Sequence, residues 1–79
     1  MKKIVVLGCG LVGRVMAEDL SKDHAVTSVD ISKQNLDKIT TSDVLKLCKD
    51  VSDISVLNEV IKDCDLVVGA LPGLSLIHI

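Results

Sequence analysis

The sequence contains no phenylalanine, tyrosine or tryptophan, and it contains a single proline among its 79 residues. A hydrophobic core must therefore be built from valine, leucine, isoleucine and alanine, a composition that buried β-strands favour. The hydrophobic fraction of 48% and the charged fraction of 25% are typical of a globular protein rather than a disordered segment. Together with the short length, these values predict one small domain with an aliphatic core.

The sequence also lacks an excess of basic charge and a long apolar run. The net charge is −2 and the lysines are scattered, which argues against a nucleic acid or an anionic membrane as partner. The longest apolar runs, Ile4 to Leu7 and Leu66 to Val68, are far shorter than the roughly 20 residues that cross a bilayer. No signal-peptide cleavage site is recognisable, so we expect a cytoplasmic protein.

The three cysteines, Cys9, Cys48 and Cys64, do not form a recognisable site. Their number is odd and they lack CxxC or Cys/His spacing, so we expect reduced thiols and no metal site. The sequence also shows no Ser-His-Asp set and no pair of carboxylates suited to acid–base chemistry. No catalytic residue is predicted.

Strand-like and helix-like segments alternate along the chain. The strand-like segments cover residues 3–7, 25–29, 44–48 and 66–71, and the third carries alternating lysines that suggest a sheet edge. The helix-like segments cover residues 11 to about 22, residues 33–39 and a run that follows residue 53. This order, with short connections, predicts a Rossmann-type doubly wound α/β fold with a parallel sheet of strand order 3-2-1-4, truncated after the fourth strand.

Apolar faces and capping residues define the helices more closely. Apolar residues that recur at helical spacing are expected to pack on the sheet. They are Val12, Val15, Met16 and Leu20 in the first helix, and Ile54, Leu57, Val60 and Ile61 in the third. Ser32 is predicted to cap the second helix, and Ser52 or Asp53 the third.

A glycine-rich turn follows the first strand. Gly8-Cys9-Gly10-Leu11-Val12-Gly13 matches GxGxxG, in which the three glycines permit a tight turn, close approach of a pyrophosphate and close helix packing. The helix that begins near Leu11 presents unpaired N–H groups and the positive end of its dipole, which favour an anion. Gly8, Gly10, Leu11, Val12 and Gly13 are therefore predicted to bind the pyrophosphate of a dinucleotide. The alternative is a glycine turn that only shortens the connection.

An acidic residue stands where a ribose-binding carboxylate is expected. Asp30 ends the second strand, 22 residues after Gly8, close to the usual spacing of about 20. A carboxylate there repels a 2′-phosphate and no arginine follows within reach, although Lys33 could partly compensate. We therefore predict NAD as the cofactor rather than NADP. The alternative is that Asp30 is a solvated turn residue.

Four further residues are candidates for the same site. Asp50 follows the third strand and is predicted to meet the adenine edge, with Val51 packed on the ring, although Asp50 suits helix capping equally well. Ala70 and Leu71 end the fourth strand and are predicted to border the crevice, although a buried strand also requires apolar residues there.

The segment Asp50 to Gly73, DVSDISVLNEVIKDCDLVVGALPG, resembles the saccharopine dehydrogenase family, including its lysine 6-dehydrogenase-like members. The resemblance extends over residues 1–73 and implies NAD(P)-dependent oxidation at a carbon bearing an amino group, in lysine or saccharopine metabolism. It matches Gly8, Gly10 and Gly13 to the family's pyrophosphate turn, Asp30 to its ribose acid, and Ala70 and Leu71 to its fourth-strand edge. The family's catalytic domain is absent from these residues, so the fragment is expected to be inactive alone. Separately, the full-length parent is expected to be a homo-oligomer.

Two other functions remain open at this point. A regulatory NAD-binding domain of a potassium-transport protein opens with a similar glycine turn and acid-ended second strand, and a non-catalytic Rossmann scaffold is the third alternative. The sequence VVGALPG at Val67 to Gly73 favours the dehydrogenase, since regulatory domains generally place a polar, threonine-bearing end on that strand.

The last six residues, LSLIHI at 74–79, follow the predicted domain of residues 1–73. The same peptide is encoded by the end of a transposon that is used to prepare sequencing libraries. We interpret it as an adapter-derived, non-native tail, with a genuine short strand as the alternative.

Overall fold

Strands and helices alternate along the described chain in the predicted order. The computed structural model describes residues 2–8, 10–69 and 77–78. The elements are β1 (Lys3–Leu7), α1 (Leu11–Leu20), β2 (Ala25–Asp30), α2 (Lys33–Asp37), β3 (Val44–Cys48), α3 (Ile54–Ile61), β4 (Leu66–Gly69) and β5 (Ile77–His78). No helix within these residues has the length and apolar character needed to cross a membrane.

The helices α1 and α2 end slightly earlier than predicted because their last turns tighten. The Lys22 amide donates to the Asp19 carbonyl oxygen at 3.3 Å, and the Ile39 amide donates to the Leu36 carbonyl oxygen at 3.1 Å. Both bonds span three residues, as in a 3₁₀ turn. Ser32 caps α2 as predicted, because its side-chain oxygen accepts a hydrogen bond from the Asn35 amide at 3.3 Å.

The sheet has β1 at its centre. The strand order is β3-β2-β1-β4-β5, and the first four strands pair in parallel, which confirms the predicted order 3-2-1-4 and the edge position of β3. In the register, Leu7 lies opposite Val29 on one side and Gly69 on the other. The carboxyl ends of β1, β2 and β4 therefore share one edge of the sheet.

A fifth strand, beyond the four of the predicted sheet, extends the sheet beside β4. Residues Ile77–His78 pair antiparallel with β4, with Ile77 opposite Val67 and His78 opposite Leu66. These two residues lie in the segment that was interpreted as a tail, and their pairing corresponds to the short-strand alternative.

Both faces of the sheet are covered by an aliphatic core. The side chains of β1 alternate, so that Ile4 and Val6 face α1 and α2 while Val5 and Leu7 face α3. The first core cluster consists of Ile4, Val6, Ala17, Val26, Leu36, Ile39 and Val44. The second consists of Val5, Leu7, Val29 and Val67, with partly buried side chains of α3 packed against it. A sheet buried on both faces explains the near-continuous apolar strands.

The prediction of which α1 residues pack on the sheet was partly wrong. The buried residues of this helix are Gly13 and Ala17, whereas Val12 and Val15 are 65% and 55% exposed. The helix face with the small residues Gly13 and Ala17 packs on the sheet, so the two valines lie on a face that points away from the sheet. In α3, Leu57, Val60 and Ile61 pack on the second core cluster as predicted. Ile54, at the first position of α3, is 69% exposed and does not.

The cap of α3 supplies a prediction about acid stability. Asp53 is the N-cap, and its Oδ1 accepts hydrogen bonds from the Ser55 amide at 2.9 Å and the Ser55 hydroxyl at 2.7 Å. These bonds, led by that from the hydroxyl, hold the pKa of the Asp53 carboxyl below its ordinary value. A carboxyl whose pKa is lowered by folding stabilises the fold above about pH 5, and this contribution is lost as the pH falls below about 4.

The variant Asp53→Asn isolates this effect, since asparagine also caps helices but does not titrate. Between pH 6 and pH 3, measured by circular dichroism, we expect the thermal midpoint of the parent chain to fall a few degrees further than that of Asp53→Asn. Equal falls in the two proteins would show that the ionised Asp53 cap does not stabilise the fold.

Candidate functional site

The predicted binding residues follow neighbouring strands at the carboxyl edge of the sheet. Gly8 comes directly after β1, Asp30 ends β2, and Asp50 follows β3, whose Cys48 lies opposite Asp30. In open parallel sheets this edge, outside the strand ends, is where ligands bind. The topology therefore brings three separate parts of the sequence to one edge.

The first glycine of the turn is required by the backbone. Gly8 has a φ of 96°, the only positive φ among the described residues. An L-residue with a β-carbon is strained in this region. Gly8 is buried, and its amide donates to the Val29 carbonyl oxygen at 2.8 Å, which ties the turn to the end of β2.

Neither the backbone conformation nor the packing requires a glycine at position 10. Gly10 is the N-cap of α1, with φ −69° and ψ −170°, a conformation that any residue adopts. Among the residues that the structure describes, a β-carbon placed on it would meet no heavy atom within 4 Å apart from its chain neighbours. The space in front of Gly10 is open.

The N-terminus of α1 faces this open space, and no N-cap side chain hydrogen-bonds to its first amides. Gly10 has no side chain to cap the helix, and the first turn contains no acidic residue. Leu11 and Val12, which carry the first helical amides, are 69% and 65% exposed. Gly13 is buried on the side of the sheet, as close packing of helix and strand requires. This end of α1 can accept an anion through N–H groups and the helix dipole.

Asp30 is a half-buried residue, and its carboxylate holds the turn into α2. Its Oδ1 accepts a hydrogen bond from the Ser32 amide at 2.8 Å, and its Oδ2 accepts one from the Asn35 side-chain amide at 3.4 Å. Asp30 thus has the turn role that was its alternative interpretation. Its position at the end of β2 is also the one expected of a ribose-binding acid, and that role stays a prediction.

The remaining predicted residues occupy different environments. Asp50 is exposed, and its Oδ1 accepts hydrogen bonds from the Ser52 hydroxyl at 2.6 Å and the Ser52 amide at 3.0 Å, which lower the pKa of the Asp50 carboxyl. Val51 is half-buried and packs against the second core cluster. Ala70 and Leu71 lie outside the described residues.

A basic cleft next to the glycine turn was missed by the sequence analysis. A cavity of about 220 Å³ lies between α1 and α2, lined by Gly10, Leu11, Arg14, Asn35 and Lys38. Arg14 follows the third glycine directly, and this adjacency was the only available signal. Nothing in the spacing of the sequence shows that Arg14 and Lys38 border the same cavity.

The thiols and acidic groups in the described residues do not form a further reactive site. Cys48 and Cys64 are free, and burial raises the pKa of the Cys64 thiol. Within the described ranges, no three His, Cys, Asp or Glu residues are grouped so that they could hold a metal ion.

Comparison with known proteins places this geometry among related domains. The family model of the TrkA-N domain matches residues 4–74. Among solved structures, the chain is similar to the apo saccharopine dehydrogenase (L-Glu forming) of Saccharomyces cerevisiae, with 26% identity over 91% of this chain and a TM-score of 0.73. It is also similar to HcgC of Methanococcus maripaludis, cocrystallised with SAH and pyridinol, with 25% identity over 94% of this chain and a TM-score of 0.68.

The chain spans only a part of each of these structures. It covers 17% of the saccharopine dehydrogenase chain and 29% of the HcgC chain. A sequence search of curated proteins gives no significant match.

Proposed function

The chain belongs to the TrkA-N domain family and is a Rossmann-type dinucleotide-binding domain, and from this premise we propose which residues hold the dinucleotide. Gly8, Gly10 and Gly13, with the amides of Leu11 and Val12, form the pyrophosphate site. Asp30 accepts hydrogen bonds from the adenosine ribose. The residues present fit such a ligand, because the N-terminus of α1 opens onto free space rather than onto a side chain.

The main support for this proposal is the presence of a glycine at position 10. Its backbone conformation suits any residue, and a β-carbon on it would meet no heavy atom of the other described residues within 4 Å, its chain neighbours apart. A glycine that neither φ nor packing requires is explained by a ligand that approaches the backbone at that point. A turn that only shortened the connection would need Gly8, with its φ of 96°, but not Gly10.

The other predicted residues complete the proposed site. We propose that the exposed Asp50 meets the adenine edge, with Val51 beside it, and that Ala70 and Leu71 border the crevice near the nicotinamide side. Considered by itself, the Asp30 carboxylate favours NAD over NADP, since it repels a 2′-phosphate.

For the parent protein, we propose an NAD(P)-dependent oxidoreductase that acts on an amino-acid C–N bond. The structural similarity to saccharopine dehydrogenase over 91% of this chain supports it, as does the sequence VVGALPG at Val67 to Gly73. A bound nicotinamide cofactor supplies the hydride chemistry, and this chain's residues bind and orient it. Residues 1–73 are the proposed binding domain and residues 74–79 a non-native tail, and no catalytic residue is assigned to either.

A regulatory NAD-binding domain of a potassium-transport protein is the second candidate. The match of residues 4–74 to the TrkA-N family, rather than to a dehydrogenase family, favours it. In that case the nucleotide is bound and sensed rather than consumed, and the site residues are the same.

The parent gene beyond codon 73 distinguishes these candidates. We expect native codons there to encode a mixed α/β catalytic domain, and the resulting protein to reduce NAD when an amino acid is supplied. A second short nucleotide-binding domain or membrane segments would instead establish the regulatory function. Native codons for LSLIHI in the parent gene would contradict the interpretation of residues 74–79 as a tail.

A further inference from the structure

We propose that the cleft between α1 and α2 accepts the 2′-phosphate of NADP, held by Arg14 and Lys38, so that the chain binds NADP in spite of Asp30. This inference rests on the proposed dinucleotide site and adds a specificity element to it. The cleft measures about 220 Å³ and is continuous with the glycine turn, since Gly10 and Leu11 line it.

The charges around the cleft favour an anion. The described residues that line it include two cations, Arg14 and Lys38, and none of these residues carries a carboxylate. The ion pairs in the described part of the chain join Lys22 to Asp19 and Lys62 to Glu59, so neither cation of the cleft is neutralised by one of them. Arg14 is half-buried in the first turns of α1, and Lys38 is exposed at the end of α2. A guanidinium and an ammonium that border one cavity suit a phosphate dianion.

The cleft lies beside the ribose-binding acid. Asn35 lines the cavity, and its side-chain amide donates to Asp30 Oδ2 at 3.4 Å. A ribose whose hydroxyls meet Asp30 therefore places its 2′ position next to the cleft. The 2′ substituent is what distinguishes NADP from NAD, so this is the position at which added positive charge changes the choice of cofactor.

The environment of Asp30 reduces the repulsion that its carboxylate would exert on a phosphate. Both of its oxygens accept hydrogen bonds from α2 and the preceding turn, one from the Ser32 amide and one from the Asn35 side chain. These donors offset part of the negative charge that faces the ribose. Arg14 and Lys38 add positive charge on the cleft side of the proposed 2′-phosphate position, which attracts the phosphate.

The test compares two adenosine ligands that differ only in the 2′-phosphate. The 79-residue chain is titrated by calorimetry with 2′,5′-ADP, which carries this phosphate, and with 5′-AMP, which lacks it. We expect the parent chain to bind 2′,5′-ADP at least as tightly as 5′-AMP. Arg14→Gln and Lys38→Gln should each weaken 2′,5′-ADP binding by about tenfold and leave 5′-AMP binding within about twofold.

Lys22→Gln is the matched control, because Lys22 is also an exposed lysine just beyond a helix end but is paired with Asp19 and does not line the cleft. It should leave both affinities unchanged. Unchanged 2′,5′-ADP binding in the Arg14 and Lys38 variants would overturn the inference, and so would equal losses for both ligands, which would place the cations at the 5′-phosphate. If the parent chain bound neither ligand nor NADH, the dinucleotide site itself would be wrong.

Discussion

Replacement of Gly10 by valine is expected to abolish dinucleotide binding while leaving the protein folded. The valine side chain would fill the open space in front of α1, where the proposed pyrophosphate approaches the backbone. We expect the affinity for NADH, measured by nucleotide fluorescence, to fall by more than about 100-fold. The backbone at Gly10 is already in a region open to valine, so the free energy of unfolding should change by no more than about 1 kcal/mol, from the poorer N-cap.

Gly8→Ala is the comparison variant for stability, since Gly8 is the glycine of the turn that the backbone conformation requires. Gly8 has a φ of 96°, so an alanine there should lower the free energy of unfolding by about 1–2 kcal/mol. Gly8→Ala is thus expected to lower stability, whereas Gly10→Val is expected to lower binding with little change in stability. If Gly10→Val bound NADH as tightly as the parent chain, the pyrophosphate assignment would be wrong.

Removal of the Asp30 carboxylate is expected to change both affinity and cofactor choice. Asp30→Ala should weaken NAD binding by about tenfold, because two hydrogen bonds from the ribose are lost. It should also lower the free energy of unfolding by about 1 kcal/mol, because the Ser32 amide loses its acceptor at the turn into α2. Calorimetric titration with NAD and NADP, together with thermal unfolding, measures both effects.

Asp30→Asn separates the two roles. An asparagine oxygen can still accept the hydrogen bond from Ser32, although its amide nitrogen cannot accept the one from the Asn35 side chain, so stability should fall less than in Asp30→Ala while the negative charge is gone. The ratio of NADP to NAD affinity should rise by about tenfold, since the carboxylate no longer repels the 2′-phosphate. An unchanged ratio in Asp30→Asn would mean that Asp30 does not face the ribose and serves only the turn.

The elements that position the site were predictable because local signals define them. The run Lys3–Leu7 is apolar and ends at glycine, and Ser32 stands at the start of α2 with a side chain able to cap it. Helix ends were less predictable, because the last turns at Lys22 and Ile39 tighten through bonds that no single residue type specifies. The order of the four parallel strands followed from the alternation of strands and helices.

The faces of the helices and the cleft depend on tertiary packing. Hydrophobic spacing alone predicted that Val12 and Val15 would be buried, but the small residues Gly13 and Ala17 form the contact that lets α1 lie close to the sheet. The basic cleft combines Arg14 from one helix with Lys38 from another. Arg14 and Lys38 line the same cavity only because the fold brings α1 and α2 together, and the pattern of a single sequence does not show which helices lie side by side.

The division of the core between two faces of the sheet determines which parts of the proposed site leave the ribosome together with a core cluster. Every member of the first core cluster lies between Ile4 and Val44, and the glycine turn, Asp30 and the basic cleft all lie within the same stretch. A ribosome that synthesises the chain from its N-terminus therefore releases the glycine turn, Asp30 and the basic cleft, together with the first core cluster, before α3 and β4 emerge. The helix α3 and the strand β4 therefore join the sheet after the residues of the glycine turn, Asp30 and the basic cleft have left the ribosome.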